Sequence, residues 1–268
     1  MNRILWHAIR YDIREGILKK FLYFLVLIAV ILYFVVSSAM ILSNTQGNCS
    51  VTDIFLYLWR GSPKPVLQRG QTFEIPIFYL FLHVLILFFA CYYPIRELKT
   101  KGRILILFFR SRTVWWYGKC IWNFIGTFCI YFLFFVVISI VVLFFDGDFL
   151  LTREMQEQLD GILLTDNSKV ILLYCFLAGY CVMLAMNQIQ ITLQLICPPV
   201  VGFLIMLSLL TASFCMESSL LPGNYLMLCR TELFENGSVN LQFGCLYALF
   251  IWILSIFAGK IIIERKDL

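Results

Sequence analysis

Six apolar runs, each reaching or approaching the ~20 residues that cross a hydrocarbon core, dominate this chain. They cover about 21–43, 75–95, 115–145, 169–186, 195–215 and 241–263. A soluble core of 268 residues does not absorb them: 61% of the residues are hydrophobic and 14% charged, against roughly 45–50% apolar and about 25% charged in soluble domains. The bilayer must act as solvent for many of these side chains. The expected fold class is therefore all-α integral membrane, one transmembrane domain of six transmembrane helices spanning 1–268. No length is left for a separate soluble domain.

The third run exceeds the bilayer thickness, so tilt or a cytoplasmic extension is expected. Pro76, Pro94 and the Pro198-Pro199 pair lie near span ends, where proline costs least. Only an uncharged polar stretch, 187–194, separates the fourth and fifth runs. It reads as a short cytoplasmic turn.

Basic residues orient the spans. With both ends in the cytoplasm, the inside segments (1–20, 96–119, 187–194 and 260–268) hold 15 of the 21 Lys and Arg residues. The outside loops (44–74, 146–169 and 216–240) hold 11 of the 16 acidic residues. A signal peptide competes for the first run, because a basic flank precedes it and Ser37-Ser38-Ala39 resembles a cleavage site. The run is, however, far longer than a signal-peptide core.

In residues 1–20, Leu5, Ile9, Ile13 and Ile17 recur every four, with Arg3, Arg10, Arg14, Glu15 and Lys19 on the remaining faces. This pattern predicts an amphipathic helix lying in the interface, apolar side in the acyl boundary and cations near anionic headgroups.

Seven of the ten cysteines fall inside apolar runs, where they act as small hydrophobes. A bridge between Cys49 and Cys229 is one possibility that spacing leaves open. Enzyme chemistry is not encoded in any motif: GxxxxGK[ST], HExxH and GxSxG are all missing, so neither ATP hydrolysis, a metal nor a cofactor is expected of this chain. His83 lies within the second run. It is a functional candidate by position, or a neutral histidine bonded to a neighbouring helix. No Asp or Glu lies mid-span, which disfavours carboxylate-based proton or sodium coupling.

Between the second and third runs comes Arg96-Glu97-Leu98-Lys99-Thr100-Lys101-Gly102-Arg103, then Ile104-Leu105-Ile106-Leu107-Phe108-Phe109, Arg110-Ser111-Arg112, and Trp115-Trp116-Tyr117-Gly118-Lys119. This is a short amphipathic segment bracketed by cations. Its plainest reading is an ordinary positive-inside loop. The order of Glu97, Gly102, a Leu-rich stretch, Ser111-Arg112 and Lys119 nevertheless resembles the corresponding loop of type-2 ABC exporter permeases. The Tyr11-Asp12-Ile13-Arg14 start and the Gly259-Lys260-Ile261-Ile262-Ile263-Glu264-Arg265-Lys266-Asp267-Leu268 end are similar to that family's N-terminal connecting helix and short basic tail.

The resemblance implies that the loop is a cytoplasmic coupling helix, with Glu97, Gly102, Arg103, Arg110, Arg112 and Lys119 as ATPase-coupling residues. Residues 1–20 and 187–194 would add secondary contacts. It implies a separate ATPase subunit, a second permease subunit in a homo- or heterodimer, membrane lipid as surroundings, no nucleic-acid partner, and a plasma-membrane location. It also implies short re-entrant helices within 216–240. The other functions left open are a non-transporting scaffold or sensor subunit, and a secondary transporter or channel. In the last run, Gly244 with Ala248 and Ser255 with Gly259 read as close-packing sites.

Overall fold

The computed structural model describes residues 2–46, 48–62, 76–109, 111–159, 162–165, 167–235 and 237–266. Arg110 and the tail residues Asp267 and Leu268 lie outside the described residues, as does the side chain of Arg103. Helices α1 to α11 are Asn2–Gly16, Phe21–Gln46, Val51–Trp59, Ile77–Cys91, Tyr93–Glu97, Arg103–Phe109, Arg112–Phe144, Arg153–Gln158, Ser168–Leu193, Pro199–Cys215 and Leu241–Arg265. A π turn, Leu98–Gly102, continues α5, and 3-10 turns occupy Leu18–Lys20, Pro222–Leu226 and Leu228–Arg230. Extended pairing among the described residues is limited to two isolated bridges.

Five stretches are long and apolar enough to cross a membrane: α1–α2, α4 with α5 and its π turn, α7, α9 and α11. The chain is thus an all-α, multi-pass membrane protein. The run expected as a fifth span is α10, an apolar helix of 17 residues, about 26 Å long at 1.5 Å per residue. Helix α7 has 33 residues, and its excess extends the helix at the end where α1 packs.

Helix α9 is the axis of the bundle and packs on α4, α7, α10 and α11. It runs unbroken to Leu193, so residues 187–193 are not the turn that their polarity suggested. Hydropathy dips there, but no glycine or proline interrupts the helix, and the polar side chains find partners inside the bundle. The turn to α10 falls later, ahead of the Pro198-Pro199 pair.

The close-packing sites of the last run are where the sequence places them. The buried residues of α11 are Gly244, Ala248, Ser255, Gly259 and Ile263. The Trp116 ring occupies the space that a side chain at Gly259 would need, and its indole Nε1 donates to Ile256 O at 2.9 Å. Small residues let a large aromatic side chain reach the α11 backbone, which substitutes for the hydrophobic drive missing between helices in lipid.

At the opposite end, α3 is buried on nearly all sides. It is fixed by a capping box in which Asp53 N donates to Ser50 Oγ at 3.1 Å and Ser50 N to Asp53 Oδ2 at 2.8 Å. Thr152 N donates to the other carboxyl oxygen at 3.3 Å, tying α3 to the start of α8. Burial pushes the Asp53 carboxyl above its usual value, outweighing these hydrogen bonds. The described part of 216–240 folds as two 3-10 turns rather than α-helices. The buried Arg230 anchors it by donating to the carbonyls of Ser62, Ser213 and Phe214 and to Asn224 Oδ1. Cys49 and Cys229 are both free thiols.

Candidate functional site

The face of α1 that packs hardest is not its aliphatic stripe. Leu5, Ile9, Ile13 and Ile17 are only half-buried, whereas Ala8, Asp12 and Gly16, also four apart, are buried. They press on the excess length of α7. A side chain at Gly118 would come within 2.7 Å of Asp12 Oδ2 and 3.6 Å of Ala8 Cβ. Glycine at 118 thus allows the two helices to approach closely enough to enclose a carboxylate.

That carboxylate belongs to a buried three-charge junction. Lys119 Nζ, fully buried, is ion-paired with both Asp12 and Glu97. Two further donors join: Tyr93 OH donates to Asp12 Oδ1 at 2.8 Å, and Trp115 Nε1 to Glu97 Oε1 at 2.8 Å. The ammonium lies 4.7 Å from the Tyr93 ring centroid and 5.2 Å from that of Trp115, within cation–π range. Beside it, Lys20 sits 5.2–5.6 Å from the centroids of Tyr93, Phe89 and Trp122. Three elements meet at this point: the N-terminal helix, the end of α5 and the start of α7.

Glu97 is also where the chain enters the π turn, a distortion frequent at functional positions. Helix α6 follows and has apolar residues on both faces. Phe109 is buried with Ala8 and Val114, with Leu5 and Leu105 packed beside them. The other face presents Ile104, Leu107 and Phe108 at 69%, 77% and 73% exposure. Beyond α6, the Ser111 side chain accepts Val114 N at 3.3 Å and starts α7. Arg112 Nη1 donates to Glu264 O at 3.0 Å and to Lys266 O at 2.7 Å. Helix α6 therefore lies between two anchors, Glu97 in the junction before it and Arg112 on the end of α11 after it.

The six residues singled out by sequence divide accordingly. Glu97 and Lys119 turn inward and bind each other, Gly102 is buried at the end of the π turn, and Arg112 grips the end of α11. The sequence reading missed Asp12, Tyr93 and Trp115 as partners in the junction. The signal was present for Asp12, an acid midway between Ala8 and Gly16 on a small-residue stripe.

A second polar cluster lies along α9. Asn123 Nδ2 donates to Gln188 Oε1 at 3.1 Å, and Asn187 Nδ2 to Thr127 Oγ1 at 3.1 Å. Gln190 and Gln194 donate to Leu87 O and Ala90 O of α4, each at 3.1 Å, and Thr192 to Ser255 O of α11 at 3.1 Å. These uncharged bonds fasten α9 to three neighbours. The Cys120 thiol joins the cluster, accepting from Gln188 Nε2 at 3.3 Å. His83 hydrogen-bonds Tyr79 O, one turn back on its own helix, at 2.7 Å, instead of a neighbouring helix. Its ring lies among Tyr79 and Trp59.

Comparison of the chain with protein-family models, curated proteins and solved structures finds no match.

Proposed function

We propose that this chain is the membrane-spanning permease subunit of an ATP-driven exporter of the type-2 ABC kind, working with a separate ATPase subunit and a second permease subunit. In this reading six helices cross the plasma membrane, α10 included, with both termini cytoplasmic. The observation that carries it is α6: a seven-residue helix with Ile104, Leu107 and Phe108 exposed, clamped between Glu97 and Arg112.

A loose loop yields under load, but a helix pinned by a buried ion-pair junction and by the end of α11 passes movement into α1, α5, α7 and α11. The exposed apolar face of α6 would dock in a cleft of the ATPase. Glu97 and Lys119 would transmit the load from inside, and Arg112 would steady the far end. ATP-driven closure of the ATPase pair would then tilt the bundle and open a path for an amphipathic or peptide-like cargo.

The test is purification from native membranes in mild detergent. An ATPase chain is expected to co-purify with the wild-type protein, and Leu107→Glu with Phe108→Glu to release it while the permease still folds. Retention of the ATPase by that double variant, or ATP hydrolysis by the isolated chain with contaminants excluded, removes this reading.

A further inference from the structure

The side of α1 turned away from the junction carries His7, Arg10, Tyr11 and Arg14, spaced i, i+3, i+4 and i+7 on one stripe. These four residues line a groove of about 360 Å³. His7, Arg10 and Arg14 are exposed and Tyr11 is half-buried. Among the described residues neither arginine has an ion-pair partner, because the nearby acids are engaged. Asp12 and Glu97 hold Lys119, and Glu15 holds Lys19. The groove has a fixed direction, since Ala8, Asp12 and Gly16 lock the opposite side of α1 onto α7.

Its flanks are apolar. Ile4 and Trp6 are exposed at one end of the helix, and Leu18, Phe21 and Leu22 lie exposed just beyond the other, where the first span begins. Side chains of this kind sit in the acyl boundary, with tryptophan at headgroup depth. In such a boundary two unpaired guanidinium groups would sit at the level of lipid phosphates, which arginine binds through paired N–H donors. We infer that the His7–Arg10–Tyr11–Arg14 groove is a binding site for the phosphate headgroup of an anionic phospholipid. The apolar flanks favour a lipid over an acidic protein surface or free phosphate, and this site does not depend on the exporter reading.

Native mass spectrometry of the purified, delipidated chain tests it, with phosphatidylglycerol and phosphatidylcholine titrated in parallel. Phosphatidylglycerol is expected to bind one per chain in preference to phosphatidylcholine. Arg10→Gln with Arg14→Gln is expected to weaken that binding on the order of 10- to 30-fold, from about 1 kcal/mol per arginine near a charged surface. Arg10→Lys with Arg14→Lys, which keeps charge but loses the paired geometry, should fall between. Both pairs are exposed, so melting should be unchanged. Arg153→Gln with Lys169→Gln, exposed at the opposite end, should leave binding at the wild-type level. Equal binding of the two lipids, or equal binding by wild type and the glutamine variant, overturns the site. So does full displacement of the lipid by millimolar inorganic phosphate, which identifies a free-phosphate site. Loss of a co-purified protein from the glutamine variant with lipid binding intact overturns it in favour of a protein-docking surface.

Discussion

Replacing Lys119 with methionine keeps most of the side-chain volume and removes the only cation in direct contact with the Asp12 and Glu97 carboxylates among the described residues. Breaking a buried ion pair from one side typically costs about 3–5 kcal/mol. Here one ammonium serves two buried carboxylates and also contacts two aromatic faces, so the upper part of that range is expected.

The assay is reversible unfolding in detergent micelles, comparing wild type, Lys119→Met, and a triple variant that adds Asp12→Asn and Glu97→Gln. The triple variant should recover much of the loss, because replacing all the charges removes the uncompensated burial. A Lys119→Met deficit below about 1 kcal/mol refutes the reasoning that a closed junction holds α1, α5 and α7 together.

Gly259→Val should destabilise by about 1–3 kcal/mol through overpacking against Trp116, read as a lower melting temperature; an unchanged melt would mean that α11 is free to move aside. Arg112→Gln removes a charged donor from two carbonyls, worth roughly 1.5–3 kcal/mol, and should expose the end of α11 to carboxypeptidase while the bundle stays folded. Single cysteines at Glu157 and Ser219, in a background without native cysteine, should react with an impermeant thiol reagent in intact cells, and one at Thr100 only after permeabilisation; labelling of Thr100 from outside reverses the orientation. Burial raises the Asp53 carboxyl above its usual value, so the native state holds that proton more tightly than the unfolded chain. Acidification from neutral toward the ordinary aspartate value should therefore stabilise wild type relative to Asp53→Asn; a flat difference would place that carboxyl in water, and the opposite slope would mean that its hydrogen bonds outweigh burial.

Much of this architecture is legible in the sequence because hydropathy reports directly on burial in lipid. The long apolar runs and the small residues of α11 needed nothing more. Where the sequence misleads, polarity mimics exposure. Asn187, Gln188 and Gln190 read as a turn, yet each is buried in α9 with a partner on another helix. Those partners lie from 60 to 103 residues away in the chain, beyond any local pattern. The same applies to α1, where an aliphatic stripe drew attention from Ala8, Asp12 and Gly16. The order of Glu97 and Lys119 in the loop resembles a family motif, and that resemblance implies only an ATPase contact for each. That they meet each other, and that Asp12 completes the set, depends on how α1 folds back over α7.

Site-specific photo-crosslinking from Leu107 tests the central claim most directly. A photoreactive residue there, on the exposed face of the clamped helix, should form a crosslink to a nucleotide-binding ATPase chain in native membranes, strengthened when non-hydrolysable ATP is added. The same probe at Leu246, exposed on α11, should form none. Crosslinks from Leu107 to lipid alone, with or without nucleotide, would contradict the account and leave 98–111 as a membrane-resting loop.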